Sequence, residues 1–325
     1  MPDTMKAVAF TAPQQAELVD WPCDPSPVHV GQVAGPTLVT LVSPGTEVNA
    51  YLADRTAPGL SGYAAVFRAE EVAADVMDVA PGDVLFCMGN HVSWQRTDRA
   101  SCLRVPLGLA PEVAVAARLM NVTWSTLTTT TARPPDRVLI TGLGPVGHLG
   151  AQVFQVAGYR VTAVDPSEQR RAVATRMGIA DVRAEIPRDD PAVCGQIALA
   201  LECAGHEQAA LDCCRMVRKR GEVVLVGVPW KQRTDLSAHA LLDAVFHHYA
   251  VVRSGWEWEV PHHPRDFTVG SLFGNMAGAL EWLRAGRVRV DGLFRSLPPA
   301  RVQEAWQDLL NMRTEHLSVV FDWRS

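Results

Sequence analysis

Residues 138–165, VLITGLGPVGHLGAQVFQVAGYRVTAVD, constrain this chain more than any other stretch. An apolar run, Val138–Thr141, enters a G-x-G-x-x-G turn at Gly142, Gly144 and Gly147. A helical pattern follows, and a second run, Arg160–Val164, stops on Asp165. Strand, glycine turn, helix, strand and terminal acid in this order form the fingerprint of a dinucleotide site. Gly142 permits the tight turn, Gly144 removes a Cβ that would hold a pyrophosphate off the backbone, and Gly147 lets helix and strand pack closely. The whole turn, Gly142, Leu143, Gly144, Pro145, Val146 and Gly147, then cradles the anion at the positive end of the helix. Asp165 lies about 20 residues beyond the glycines, where a carboxylate reaches the ribose hydroxyls and repels a 2′-phosphate. NAD is therefore expected over NADP, with Pro166 beside the ribose, although Arg170 and Arg171 leave NADP open.

With 325 residues, 48% hydrophobic and 20% charged, the chain has material for two domains and is not disordered. Acids and bases are interspersed to a net charge of −5, so no basic face is offered to nucleic acid or an anionic membrane, and small molecules are the expected ligands. No apolar run reaches the roughly 18–20 residues of a membrane span, and the opening MPDTMK lacks the pattern of a signal peptide. A cytoplasmic protein is expected. Seven cysteines without a C-x-x-C pair read as reduced thiols, as that compartment implies.

From Met5 to about Val122 the chain is strand-rich and punctuated by Pro and Gly, with runs at Lys6–Phe10, Gly31–Val42, Ala64–Ala69 and Gly82–Phe86. From Arg137 strands alternate with helices. Strands are expected at Val138–Thr141, Arg160–Val164, Ile197–Glu202, Val223–Val226 and Ala250–Ser254, with helices at Pro145–Ala157, Ser167–Met177, His206–Met216 and Ser237–His247. That alternation predicts an α/β chain with a doubly wound parallel sheet. An aromatic-rich loop, Trp256–His263, then a helix near Ser271–Arg284 and a last strand at Ser318–Phe321 complete the pattern. The expected division is 1–122, 123–256 and 257–325, with the outer pieces forming one domain.

Five ordered landmarks carry a resemblance along the whole chain: Ser43-Pro44-Gly45-Thr46-Glu47, Pro81–Phe86, Gly142–Gly147 with Asp165, Leu201–Gly205 and Gly221–Gly227. Together they resemble the medium-chain dehydrogenase/reductase superfamily. The resemblance implies a GroES-like β-rich catalytic domain around a Rossmann cofactor domain, with the active site in the cleft between them. Ala204 and Gly205, then Gly227 and Val228, would follow the strands along the nicotinamide half, and Arg170 would meet the adenosine ribose. The resemblance also implies a homodimer or homotetramer, as relatives commonly pair through the edge of the Rossmann sheet.

The departures from that pattern are as informative. Zinc-dependent relatives carry a cysteine where this chain has Pro44, a Gly-His-Glu motif where it has Gly62-Tyr63-Ala64, and a last ligand near Met120. The structural-zinc lobe is also absent. Zinc needs deprotonated N, S or O ligands, so the sequence predicts no catalytic zinc. A displaced site built from His91, His262 or His263 is the weaker alternative.

Without metal, side chains must move the proton and stabilise the developing oxyanion. Thr46 matches the relay hydroxyl of the zinc relatives, or simply caps a turn. Tyr63 takes the place of the lost histidine and is a candidate donor or general acid, or a core tyrosine. His91 is a candidate proton carrier, and Glu47 a weaker candidate or a brace. The substrate pocket is expected from the Pro44–Leu52 loop, Trp94, Trp124 and Trp256–His263, with Trp282, Trp306 and Trp323 packing in the core.

The leading expectation is a zinc-independent, NAD(H)-dependent oxidoreductase that interconverts a secondary alcohol and a ketone. The Ser-Pro-Gly-Thr-Glu turn is similar to that of bacteriochlorophyllide dehydrogenases, which allows a bulky or cyclic substrate. The alternatives are an enoyl- or quinone-type C=C reductase and an NAD(H)-binding protein without turnover.

Overall fold

The strand and helix alternation beyond residue 136 yields one six-stranded sheet in a computed structural model that describes residues 4–325. Its spatial order is Asp181–Arg183, Arg160–Val164, Arg137–Thr141, Ile197–Glu202, Val217–Leu225, Val251–Ser254, and every neighbouring pair is parallel. Numbered along the chain this is the 3-2-1-4-5-6 order of the doubly wound fold. The central strands are buried over Val138–Thr141 and throughout Ile197–Glu202, as a sheet covered on both faces requires, which explains their nearly continuous apolar sequence. Connectivity reverses beside Arg137–Thr141, so the carboxyl ends of that strand and Ile197–Glu202 flank the crevice where such sheets take ligand.

The helices form at Pro145–Val156, Glu168–Arg176, Glu207–Met216 and Ala238–His248. Ser167, His206 and Ser237 prove to be N-caps that accept a backbone amide, so each helix begins one residue later than expected. The edge strand Asp181–Arg183 was not foreseen, because three residues are too short for a periodic signal.

The remaining strands form antiparallel layers. Gln32–Leu41 is the spine, paired with Ser318–Asp322 on one side and Ala64–Arg68 on the other, and Val84–Cys87 and Cys102–Arg104 follow outward. Thr4–Ala12 pairs separately with Gln15–Pro22 and Gly59–Leu60. Phe10, Tyr51, Trp306 and Phe321 form one core of this unit. Trp306 sits edge-on to Phe10, with ring centroids 5.2 Å apart.

The chain divides into a β-rich unit, up to Arg118 with 280–285 and 290–325, and a parallel-sheet unit of 119–279 with 286–289. The second unit therefore retains the 257–279 segment that the sequence assigns to the C-terminal catalytic piece. Local packing explains this: a Cβ on Gly278 would lie 3.1 Å from the Trp124 ring, and one on Gly270 would lie 3.2 Å from Thr128. Among the described residues, no helix is long and apolar enough to cross a membrane.

Candidate functional site

At the carboxyl edge of the parallel sheet the glycine turn adopts the geometry its sequence requires. Gly142 has φ +83°, a left-handed conformation that L side chains rarely adopt. A Cβ on Gly147 would stand 1.9 Å from the Gly142 carbonyl oxygen, so only glycine permits this strand–helix approach. Gly144 differs: a Cβ there would meet nothing within 4 Å. It is the N-cap of Pro145–Val156, no side chain caps that helix, and Pro145 fills the position that needs no N–H. The open space above Gly144 and the uncapped amides suit an anion such as pyrophosphate.

Asp165 is tied into this cradle. Its Oδ2 accepts the Leu143 amide at 2.7 Å, its Oδ1 accepts the Ser167 amide at 2.8 Å, and Arg170 Nη1 stands 3.4 Å from Oδ2. A carboxylate has about four acceptor sites, so these contacts leave capacity for a ribose hydroxyl. Arg171 donates to the Asp165 and Pro166 carbonyls and so braces the loop.

The next two strand ends close against the first. A Cβ on Gly142 would crowd the Ala204 amide at 2.9 Å, one on Gly205 the Val228 carbonyl at 2.6 Å, and one on Gly227 the Gly205 amide at 2.2 Å. Glu202 fixes the middle turn by accepting the amides of Ala204 at 2.8 Å and Gly205 at 3.0 Å. Burial raises its carboxyl above the ordinary range, and those amide bonds oppose the rise. All the glycine and strand-end residues singled out in the sequence thus line one edge of one sheet.

In the β-rich unit the Ser-Pro-Gly-Thr-Glu segment is not a loop but the start of a helix, Pro44–Leu52. Pro44 supplies a preset φ at the first position, and Glu47 Oε1 accepts the Ser43 amide at 2.8 Å, much as a capping box does. Thr46 consequently lies exposed on the first turn. Glu47 turns inward, where Oε2 accepts the Ser61 hydroxyl and stands 3.1 Å from His91 Nε2. His91 Nδ1 meets the Thr40 hydroxyl at 2.7 Å, and Thr40 also accepts Trp323 Nε1 at 3.0 Å.

His91, expected as a proton carrier beside the cleft, has 0% exposure and lies against Phe321 and Trp306. The ring lies between the Glu47 carboxyl and the Thr40 hydroxyl, within hydrogen-bond distance of both. Tyr63 follows Gly62, whose Cβ would fall 2.2 Å from the Asn90 Cα, and is half-buried. Its ring is covered by the Arg118 guanidinium, with Cζ 4.2 Å from the centroid. Sequence reasoning passed over Arg118, a buried arginine. The signal was there: one cation in the otherwise apolar run Val113–Met120.

The other aromatic candidates separate. Trp124 is buried and packs on Gly278, so it belongs to the core. Trp94 lines a cavity of about 310 Å³ with Met5, Cys87 and Met88. Trp256 is exposed, and Trp258 lies against His262 with centroids 5.4 Å apart. All seven cysteines are free thiols. Burial pushes those of Cys87, Cys203 and Cys213 well up and that of Cys102 to about 12, which keeps them protonated and unreactive. Among the described residues, no three His, Cys, Asp or Glu side chains are grouped closely enough to hold a metal ion.

The chain has two units, one of them a doubly wound parallel sheet whose glycine turn has the geometry that suits a dinucleotide. Residues 145–257 match the family model described as zinc-binding dehydrogenase. An alcohol dehydrogenase of Geobacillus stearothermophilus is 28% identical over 147 residues, covering 43% of this chain and 43% of that protein's own length. One from Moraxella sp. (strain TAE123) is 24% identical over 238 residues, 65% of this chain and 64% of the relative. Among solved structures, galactitol-1-phosphate dehydrogenase from Escherichia coli superposes with a TM-score of 0.82 at 17% identity, over 98% of this chain and all of that one. Acetophenone reductase from Geotrichum candidum in complex with NAD gives 0.81 at 14% identity, over 99% and 98%. Residues 145–257 are thus similar to zinc-binding dehydrogenases, and the chain shares the fold of these dehydrogenase and reductase structures, with a β-rich unit and a doubly wound parallel-sheet unit.

Proposed function

We propose that this chain is a cytoplasmic oxidoreductase that interconverts a secondary alcohol and a ketone with NAD(H) and without zinc. The observation that carries the reading is the open, uncapped glycine turn with Asp165 hydrogen-bonded into it, which suits a dinucleotide and disfavours a 2′-phosphate. The names of the matched proteins agree: alcohol dehydrogenases, an acetophenone reductase holding NAD, and an E. coli dehydrogenase holding NADH. A Sinorhizobium meliloti neighbour holds NADP, so cofactor choice needs a direct test.

Zinc does not suit the residues present. Pro44, Tyr63, Ala64 and Met120 stand where metal-dependent relatives have ligands, and none offers a thiolate, imidazole or carboxylate. The guanidinium over Tyr63 would also repel a divalent cation. Bound nicotinamide supplies or accepts the hydride; the chain must handle the oxygen. Thr46 and Tyr63 are the hydroxyls assigned to hydrogen-bond the substrate oxygen, and Tyr63 is the proton donor to it in reduction. Glu47 and His91 hold the first turn of the Pro44–Leu52 helix from beneath and are positioning residues. A homodimer through the Val251–Ser254 edge is part of the same reading, supported by exposed Leu242 and Phe246 on the preceding helix.

The test offers NADH and NADPH separately to the protein with panels of ketones and enones. The reading expects NADH to be consumed faster than NADPH and with a ketone. Reduction of enones alone would make the chain a C=C reductase, and cofactor binding without turnover on either panel would make it a non-catalytic binder.

A further inference from the structure

Removing a metal from an oxygen-polarising site leaves a missing positive charge, and the β-rich unit contains one in the right neighbourhood. Arg118 is 4% exposed, which is rare for arginine, and its guanidinium Cζ lies over the Tyr63 ring, 4.2 Å from the centroid. Tyr63 is the residue that replaces a metal-binding histidine in the pattern of the zinc relatives. Their contact brings a permanent cation to the ring proposed to hand a proton to the substrate oxygen. We infer that Arg118 is a positioning residue that fixes the Tyr63 ring and stabilises the negative charge its oxygen gains as the proton leaves. This rests on the role proposed for Tyr63 and assigns the electrostatic work of the absent metal to a side chain.

The chemistry favours arginine for this task. Its planar guanidinium stacks on an aromatic face and keeps its charge at any working pH, whereas a lysine ammonium is a strongly hydrated point charge. Burial of Arg118 reduces the screening of its charge, so the guanidinium acts on the ring more strongly than it would in water. The proton balance is simple. In reduction the phenol O–H bond breaks as the new O–H bond of the alcohol forms, and the phenolate, stabilised by Arg118, is reprotonated from solvent.

Kinetics on Tyr63→Phe, Arg118→Lys, Arg118→Met and the two double variants test this, with NADH affinity checked first to show that each protein folds. Tyr63→Phe is expected to lower kcat by about 100-fold or more, the usual contribution of a general acid. Arg118→Lys should lower kcat about tenfold with KM little changed, and Arg118→Met further, yet neither should lower kcat in the Tyr63→Phe background. Ultraviolet titration gives a readout independent of turnover: the alkaline phenolate step that Tyr63→Phe removes should move to higher pH in Arg118→Met. Equal losses in both backgrounds, or an unmoved titration step, would overturn the inference. Full activity in Tyr63→Phe would instead refute the role of Tyr63 itself. Should Arg118→Met not fold, Arg118→Lys alone carries the kinetic comparison.

Discussion

Gly144 and Gly147 belong to the same motif and do different work. Gly147 has a backbone oxygen where its Cβ would be, so Gly147→Ala should destabilise the fold by on the order of 2–3 kcal/mol, seen as a lower urea midpoint. Gly144 faces open space, so Gly144→Ala should cost under about 1 kcal/mol of stability while weakening NADH binding tenfold or more. Fluorescence titration of NADH checks the second effect, and unchanged affinity would remove the phosphate from that position. His91→Ala poses a sharper folding test, because it leaves the buried Glu47 carboxylate without its imidazole and opens a cavity beside Phe321 and Trp306. A loss of about 3 kcal/mol or more is expected in denaturant unfolding.

Among elements, the glycine-turn helix Pro145–Val156 carries a pH-sensitive group in its buried face. Burial pulls the His148 imidazole from its ordinary 6.5 down to about 4. Between those values the unfolded chain binds more protons than the folded one. The stability owed to a neutral ring is therefore complete above pH 6.5 and lost as the pH falls toward 4, by on the order of 3 kcal/mol. Urea unfolding near pH 7 and near pH 4.5 should show this loss, and His148→Gln should remove most of it; an unaltered pH dependence in that variant would contradict the assignment. This helix and its flanking strands were legible in sequence because apolar periodicity, glycine spacing and a terminal acid agree over 28 residues. The Pro44–Leu52 helix was not, because its start is specified by a local bond from the Ser43 amide to Glu47 in a five-residue segment that also reads as a turn. Burial of His91 was equally hidden, since its partners Thr40, Glu47 and Phe321 are distant in the chain.

Across the molecule, the residues proposed to bind the cofactor belong to the parallel-sheet unit, and Thr46, Tyr63 and Arg118, proposed to act on the substrate oxygen, belong to the β-rich unit. Association is expected through the Rossmann edge, so Phe246→Asp, which places a charge on an exposed apolar face, should convert a dimer to a monomer in sedimentation velocity. A variant that sediments like the parent dimer would locate the interface elsewhere. The proposed function requires hydride transfer to proceed here without a metal. It is tested most directly by ketone-dependent NADH oxidation with protein dialysed against a strong chelator, before and after zinc is restored. The same kcat is expected in both states; activity lost on chelation and recovered with zinc would contradict metal-free transfer.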